Sequence, residues 1–296
     1  MRRAAVLGHP ISHSQSPLLH AAAYEHLGLD IDYRRIDVPL EGLGEFLGGA
    51  GSDTGWLGWS VTMPLKSALV AVVARPSARV QALGVLNTVV HRRAEGSEPV
   101  LHGENTDVDG IVHALGEAGL HRGSSREELT FGIIGAGATA AAALAAAAEL
   151  GGTEIRCYAR SAQRGAELQA VARALDLRLR ILPMAALHTD LRAQGGLLDA
   201  VVSTLPPRAA DEIAAALSPL TRPVPLLDVA YDPWPSALAA SWEAAGGRVV
   251  SGLVMLLHQA VKQVELFTSA TERPAAGLSA ESHAQLVAKM RRSIGL

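Results

Sequence analysis

Two ionisable residues stand where an α/β protein could place a proton-transfer pair. In "GWSVTMPLKSAL" (58–69) an apolar run gives way at Pro64 to a helical pattern, so the spacing predicts Lys66 in a first helical turn. A positive charge opposes the helix dipole there, which eases loss of its proton and suits the amine to general acid–base work. In "HGENTDVDG" (102–110) Asp107 directly precedes the helical pattern "VDGIVHALGEAG". Taken singly, Lys66 reads as an exposed surface lysine and Asp107 as a helix N-cap. Taken together, both fall at strand-to-helix turns of one α/β region, the edge where such folds collect ligands, and a carboxylate beside an amine holds and tunes it.

Another strand-to-helix turn carries a different chemistry. In "FGIIGAGATAAAALAAAAE" an apolar strand runs into Gly135-Ala136-Gly137-Ala138-Thr139-Ala140, a G-x-G-x-x-A spacing placed where a dinucleotide fold requires it. Gly135 permits a tight turn, Gly137 admits a pyrophosphate close to the amides of a helix start, and Ala140 lets the helix pack on the sheet. An ordinary strand-to-helix loop is the other reading. The end of the next strand sorts NAD from NADP, because a carboxylate there binds the ribose 2′-hydroxyl and repels a 2′-phosphate. None is present. "CYARSAQRG" instead places Arg160, Ser161 and Arg164 at that corner, where a guanidinium and a hydroxyl suit a phosphate dianion, so NADP is expected. The plainer reading makes both arginines solvated helix-start charges, although cations there oppose the dipole. Cys157 falls in a predicted buried strand without a neighbouring base and is expected to pack only.

The elements that must hold these turns alternate. Short apolar runs at 4–8, 31–38, 57–61 and 85–91 are separated by helical patterns such as "SPLLHAAAYEHLG" (16–28). After about residue 108 the alternation becomes regular, "LTFGIIG", "EIRCYA", "RLRIL", "DAVVST" and "VPLLDV" each followed by a helical stretch, the pattern of a doubly wound parallel sheet. "GSSREE" (123–128) reads as a surface loop. The chain ends in two helices, "GLVMLLHQAVKQVELFTSAT" and "SAESHAQLVAKMRRSI", with no strand between them.

Composition narrows the functional class. With 296 residues, 49% hydrophobic and 19% charged, the chain can bury two ordinary cores. A net charge of −3 argues against nucleic acid or an anionic membrane as the partner. One cysteine excludes an internal disulfide and a multi-thiolate metal site, and a reducing cytoplasm is the expected location. The amino terminus has too short an apolar run for a signal peptide, and the Ala-rich run after Gly135 is shorter than the roughly 20 apolar residues a membrane span needs. His9, His13 and His20 lack the thiolates or compact carboxylates of a metal site, so no metal is expected. No G-x-S-x-G elbow or S-x-x-K spacing supports a serine hydrolase. Trp56, Trp59, Trp234 and Trp242 are too dispersed for a stacking platform and are expected in cores or at a domain junction.

Eight blocks in order, "PISHSQSP", "SVTMPLK", "GVLNT", "GENTDVDG", "GAGATA", "ARSAQR", "DVAYDPWPS" and "GLVMLLHQAVKQVE", make the chain similar to the shikimate dehydrogenase family over nearly its whole length. The resemblance implies NADP-dependent interconversion of 3-dehydroshikimate and shikimate, a step of aromatic amino-acid precursor biosynthesis. It implies an α/β class with an N-terminal substrate domain at 1–107 and 252–296 and a Rossmann-type NADP domain at 108–251, the C-terminal helices returning to the first. It implies that Ser14 and Ser16 hold the substrate carboxylate, which suits hydroxyl donors at a helix start with Ser16 as cap and Pro17 as the first helical residue. It implies further that Lys66 and Asp107 are the catalytic pair, that Thr62, Asn87, Tyr231 and Gln259 bind substrate, that Ser203 and Thr204 lie beside the cofactor, and that Gly252 and Met255 lie against the nicotinamide. The spread over both domains implies a cleft that closes, in a monomer or a homodimer.

The chain departs from the family pattern at Ser60 and Ala159, where asparagine is usual, and at Ala21, where asparagine commonly follows the histidine. None removes a proposed catalytic group. Quinate and aminoshikimate dehydrogenases share nearly the same constellation; the paired serines of "SQS" lean toward shikimate. A non-catalytic sensor of NADP or a shikimate-like acid is the rival from another class, and the presence of both Lys66 and Asp107 argues against it.

Overall fold

The computed structural model describes residues 2–93, 99–123, 128–193 and 196–296, without the side chains of residues 162 and 164. The chain forms two compact units, Met1–Thr106 with Gln259–Leu296, and Asp107–His258. The expected boundaries at 107/108 and 251/252 therefore fall one and seven residues away, at 106/107 and 258/259.

In the first unit the elements run β1 (Arg2–Gly8), α1 (Ser16–Leu27), β2 (Ile31–Asp37), α2 (Leu43–Gly48), β3 (Trp56–Val61), β4 (Arg75–Pro76), α3 (Ala78–Leu83), β5 (Thr88–Arg92) and β6 (Val100–Glu104). The sheet order is β2-β1-β3-β5-β6-β4. β1 runs parallel to β2 and β3, and β5 is antiparallel to both β3 and β6. That topology gathers the carboxyl ends of β1, β3 and β6 and the amino end of β5 along one sheet edge. Trp59, with Phe46 and Trp56 edge-on to it, centres a core that includes Leu7, Leu65, Leu69 and Val89.

The second unit runs α4 (Asp107–Glu117), β7 (Leu129–Ile134), α5 (Ala138–Glu149), β8 (Gly152–Tyr158), α6 (Ala162–Ala174), β9 (Arg178–Leu182), α7 (Ala186–Leu191), β10 (Ala200–Ser203), α8 (Asp211–Ala215), β11 (Pro225–Asp228), α9 (Ala237–Ala244) and β12 (Arg248–Ser251). Every pairing is parallel, in the order β12-β11-β10-β7-β8-β9. Counted within the unit this is 3-2-1-4-5-6 read from the β9 end, the doubly wound arrangement whose strand order reverses between β7 and β10. α5 is alanine-rich for a packing reason: residues 140–147 are all buried, and small side chains let the helix lie close to the sheet. α10 (Gly252–Thr268) starts in this unit and ends in the first, and α11 (Ala280–Ser293) packs on α1.

Several expectations are corrected. β4, β6 and β12 were not expected as strands, and β5 begins at Thr88 instead of 85. No helix starts at Pro64: residues 62–67 are turns and the next helical element is a 3-10 turn at Ala68–Ala71. Ser16 and Asp107 are the first helical residues of α1 and α4, not caps, and Gln15 occupies the cap of α1. Trp56, Trp59 and Trp242 are in cores, whereas Trp234 is 39% exposed. The expected loop at 124–127 lies outside the described residues.

Candidate active site

The candidate residues of the first unit collect at the sheet edge described above. Gly8 ends β1 where a Cβ would collide with the Thr62 methyl and lie 2.8 Å from the Met63 carbonyl, so glycine is what lets the two chain ends touch. His9 N donates to the Met63 carbonyl at 2.9 Å and Thr62 N to the Leu7 carbonyl at 2.9 Å. Lys66 sits in the turn that follows, its carbonyl accepting from Leu86 N at 3.0 Å. The turn is thus pinned by partners distant in sequence, and the helix-dipole argument for Lys66 does not apply.

Beyond β1, Ser14 Oγ accepts from Ser16 N at 3.3 Å, and the Arg35 guanidinium clamps the Ser14 carbonyl through Nε and Nη2 at 2.9 and 2.6 Å. Ser16 is buried at the start of α1. The three histidines of this region diverge: His9 faces Asp37 at 3.0 Å, His13 is exposed, and His20 is fully buried.

Asn87 is the most constrained polar side chain of the edge. Its Oδ1 accepts from Thr106 N at 2.7 Å and from Thr88 Oγ1 at 2.8 Å, while Nδ2 lies 3.0 Å from Thr106 Oγ1 and 3.4 Å from Gln259 Oε1. Asn87 and Gln259 are therefore brought together with their amides buried and partnered, the condition under which polar groups are tolerated in a core. Behind them lies a polar layer that local pattern does not single out, Tyr33, Thr88, Thr106 and Gln263, together with Ser60, read in the sequence only as a departure from the family's asparagine. Its one readable signal was Gln263 standing four residues after Gln259, on the same helix face.

In the second unit the glycine turn sits at the strand-order reversal. Gly135 has φ +104°, and a Cβ there would lie 2.6 Å from Thr204 Oγ1. Gly137 is the cap residue of α5; no side chain caps that helix, no acid stands in its first turn, and a Cβ at 137 would meet nothing within 4 Å. An uncapped helix start with free space before it fits a phosphate. Ala140 is fully buried against the sheet. β8 ends at Tyr158, so Arg160, which is exposed, and Ser161 follow in the turn before α6; the side chain of Arg164 lies outside the described residues. Cys157 is buried, and burial pushes its thiol up to about 11, which leaves it inert at neutral pH.

The remaining residues of this unit follow β10, β11 and β12. Ser203 is buried at the end of β10, and Thr204 Oγ1 donates to the Ile134 carbonyl at 2.9 Å. Asp228, at the end of β11, accepts from Ser236 Oγ at 2.6 Å and Ala230 N at 3.3 Å, which ties down the loop carrying Tyr231. Burial raises the Asp228 carboxyl, against the lowering effect of those bonds. Burial, then Asp232, raises the Tyr231 phenol. Gly252 packs so closely on the Val229 backbone that a Cβ would overlap it, and Met255 is buried one turn on. Asp107 is buried at the start of α4.

A glycine turn at the reversal point of a parallel sheet, in a chain whose other unit is an α/β sheet with a partnered polar edge, is the arrangement of the dinucleotide-binding α/β proteins. Residues 6–89 match the shikimate dehydrogenase substrate-binding domain. A shikimate dehydrogenase (NADP(+)) of Methylobacterium radiotolerans is 35% identical over 269 residues, 89% of this chain and 90% of that protein. The crystal structure of Mycobacterium tuberculosis shikimate dehydrogenase matches with TM-score 0.78 and 36% identity, covering 97% of this chain and 99% of that one. The Thermus thermophilus enzyme in complex with NADP(H) and shikimate matches with TM-score 0.73 and 30% identity, over 99% and 100% of the two chains. The chain belongs to the shikimate dehydrogenase family. No helix among the described residues is long and apolar enough to cross a membrane.

Proposed function

We propose that this chain catalyses the reversible, NADP-dependent reduction of 3-dehydroshikimate to shikimate, with Lys66 and Asp107 as its catalytic pair. The observation that supports the substrate half is the buried meeting of Asn87 and Gln259, two mutually oriented amides whose long 3.4 Å contact can be exchanged for a hydroxyl of a polyhydroxylated acid, at the edge that also holds Thr62 and Lys66. Ser14 and Ser16 hold the carboxylate by their hydroxyls and Tyr231 adds a phenol. Lys66, assisted by Asp107, gives or takes the proton of the reacting hydroxyl.

NADP, when bound, supplies the hydride acceptor or donor at its nicotinamide. The residues that hold it are Gly135–Ala140 for the pyrophosphate turn, Arg160, Ser161 and Arg164 for the 2′-phosphate, Ser203 and Thr204 beside the cofactor, and Gly252 and Met255 against the nicotinamide. A Cβ at Gly252 would overlap the Val229 backbone, so glycine is what lets α10 start against it. We place the reaction in a reducing cytoplasm, which suits the single free thiol, in a monomer or homodimer.

The deciding experiment follows NADPH absorbance with shikimate, quinate and aminoshikimate, each with NADP and NAD. The expected result is the highest kcat/KM for shikimate with NADP. Binding of shikimate and NADP without turnover of any of the three acids would instead make the chain a sensor.

A further inference from the structure

Gln263, on α10, uses every hydrogen-bonding position of its amide inside the first unit. Its Oε1 accepts from Ser60 Oγ at 2.7 Å and lies 3.3 Å from His20 Nε2. Its Nε2 donates to the Asn87 carbonyl at 3.2 Å and to Thr88 Oγ1 at 3.0 Å. Only one amide orientation satisfies all four contacts, because the Asn87 carbonyl cannot donate.

The contacts continue outward. His20 is stacked on Tyr33, ring centroids 3.9 Å apart and 12° from parallel, and its Nδ1 lies 2.9 Å from the Tyr24 hydroxyl. Tyr33 donates to Ser60 Oγ at 2.7 Å and is also hydrogen-bonded to Ser16. Burial holds the His20 imidazole down to about 3, so it is neutral, and its Nε2 hydrogen points to Gln263 while Nδ1 accepts from Tyr24. One buried amide therefore connects Asn87, at one side of the sheet edge, with Ser16, at the start of α1.

We propose that Gln263 is a positioning residue of the substrate site, holding Asn87 directly and Ser16 through Ser60 and Tyr33 in one geometry. It touches no substrate in this assignment, and the inference rests on the functional reading above, in which Asn87 and Ser16 bind the acid. Its replacement removes four hydrogen bonds around those two residues, leaves His20 Nε2 without its acceptor, and loosens both at once. The effect belongs to shikimate and not to NADP, whose proposed residues lie in the other unit.

The test is steady-state kinetics on folded Gln263→Met and Gln263→Glu beside the wild type, with thermal melts confirming the fold. In Gln263→Met, KM for shikimate rises about 10-fold or more, while KM for NADP stays within about twofold. Gln263→Glu keeps the shape but turns an acceptor toward the Asn87 carbonyl, and protonation of that carboxyl restores a donor. Its shikimate KM therefore falls toward the wild-type value as the pH is lowered from about 8 to about 6, the direction expected of a buried carboxyl with a raised pKa. The titratable groups facing position 263 are His20 and, beyond it, Tyr24 and Tyr33, none of which titrates in that window. Should Gln263→Met fail to fold, the pH profile of Gln263→Glu decides, and a profile parallel to wild type overturns the inference. Unchanged shikimate KM in folded Gln263→Met, or equal loss for shikimate and NADP, also overturns it while wild-type turnover stands. A wild-type chain inactive on shikimate overturns the functional reading and this inference with it.

Discussion

Gly135 and Thr204 are packed so that the hydroxyl of one stands 2.6 Å from where any side chain of the other would begin. The hydroxyl cannot retreat freely, because it donates to the Ile134 carbonyl at 2.9 Å. Gly135 also has φ +104°, a conformation that side chains other than glycine's rarely adopt. Gly135→Ala therefore loses about 1–3 kcal/mol of stability in urea melts and raises KM for NADP more than KM for shikimate. Adding Thr204→Ala removes the collision but not the backbone strain, so the double variant recovers part of the loss. Full recovery would show that the contact alone matters.

How much of this turn was legible depended on how local its causes are. The strand, Gly135, Gly137 and the helix after them follow one another within a few residues, and each is dictated by its own φ or packing, so the pattern could be read directly. The turn at 62–67 was misread as a helix start because Pro64 has the right local chemistry, whereas its shape is set by Gly8, His9 and Leu86. β4 has two residues and β12 has four with α10 beginning at the next position, too short for any period to show. Gln263 matters through Asn87, Ser60 and His20, contacts that span up to 243 positions in the chain. Pairings of that range leave no mark in local pattern, which is why the glycine turn was easier to find than the buried polar layer around Gln263.

Lys66 separates chemistry from binding. If its amine handles the hydroxyl proton, Lys66→Met removes an interaction made chiefly in the transition state. The expected result is a fall in kcat of about 10²–10⁴-fold, with shikimate KM changing by less than about fivefold. Stopped-flow and steady-state NADPH absorbance measure both. Equal damage to kcat and KM would place Lys66 among the substrate-binding residues instead.

Arg160 tests the cofactor assignment through a ratio. NADP differs from NAD only in the 2′-phosphate, so an arginine that binds that group contributes to one dinucleotide and not the other. Arg160→Ala should raise KM for NADP by about 10- to 100-fold, the size of a charge-assisted hydrogen bond, and leave KM for NAD within about twofold. Matched losses for both dinucleotides would move the 2′-phosphate away from Arg160.

His91 makes stability depend on pH, and the sign follows from its surroundings. It packs edge-on to Trp59, ring centroids 4.4 Å apart, with both ring nitrogens buried and unpartnered. Burial, then Arg93, lowers its pKa from 6.5 to about 4, and burial lowers that of His20 to about 3. The unfolded chain therefore binds protons at these two positions below about pH 6.5 that the folded chain refuses. Their linkage costs nothing above pH 6.5, and stability falls with pH below it, each histidine contributing up to about 1.4 kcal/mol per pH unit until its own folded value is passed. His91→Leu removes one of the two. Urea melts at pH 7.5 and pH 5 should show a smaller acid-side loss in the variant than in wild type, by up to about 2 kcal/mol. An identical loss in both would mean that folding leaves proton uptake at His91 unchanged, and would overturn the assignment of the acid-side loss to its burial.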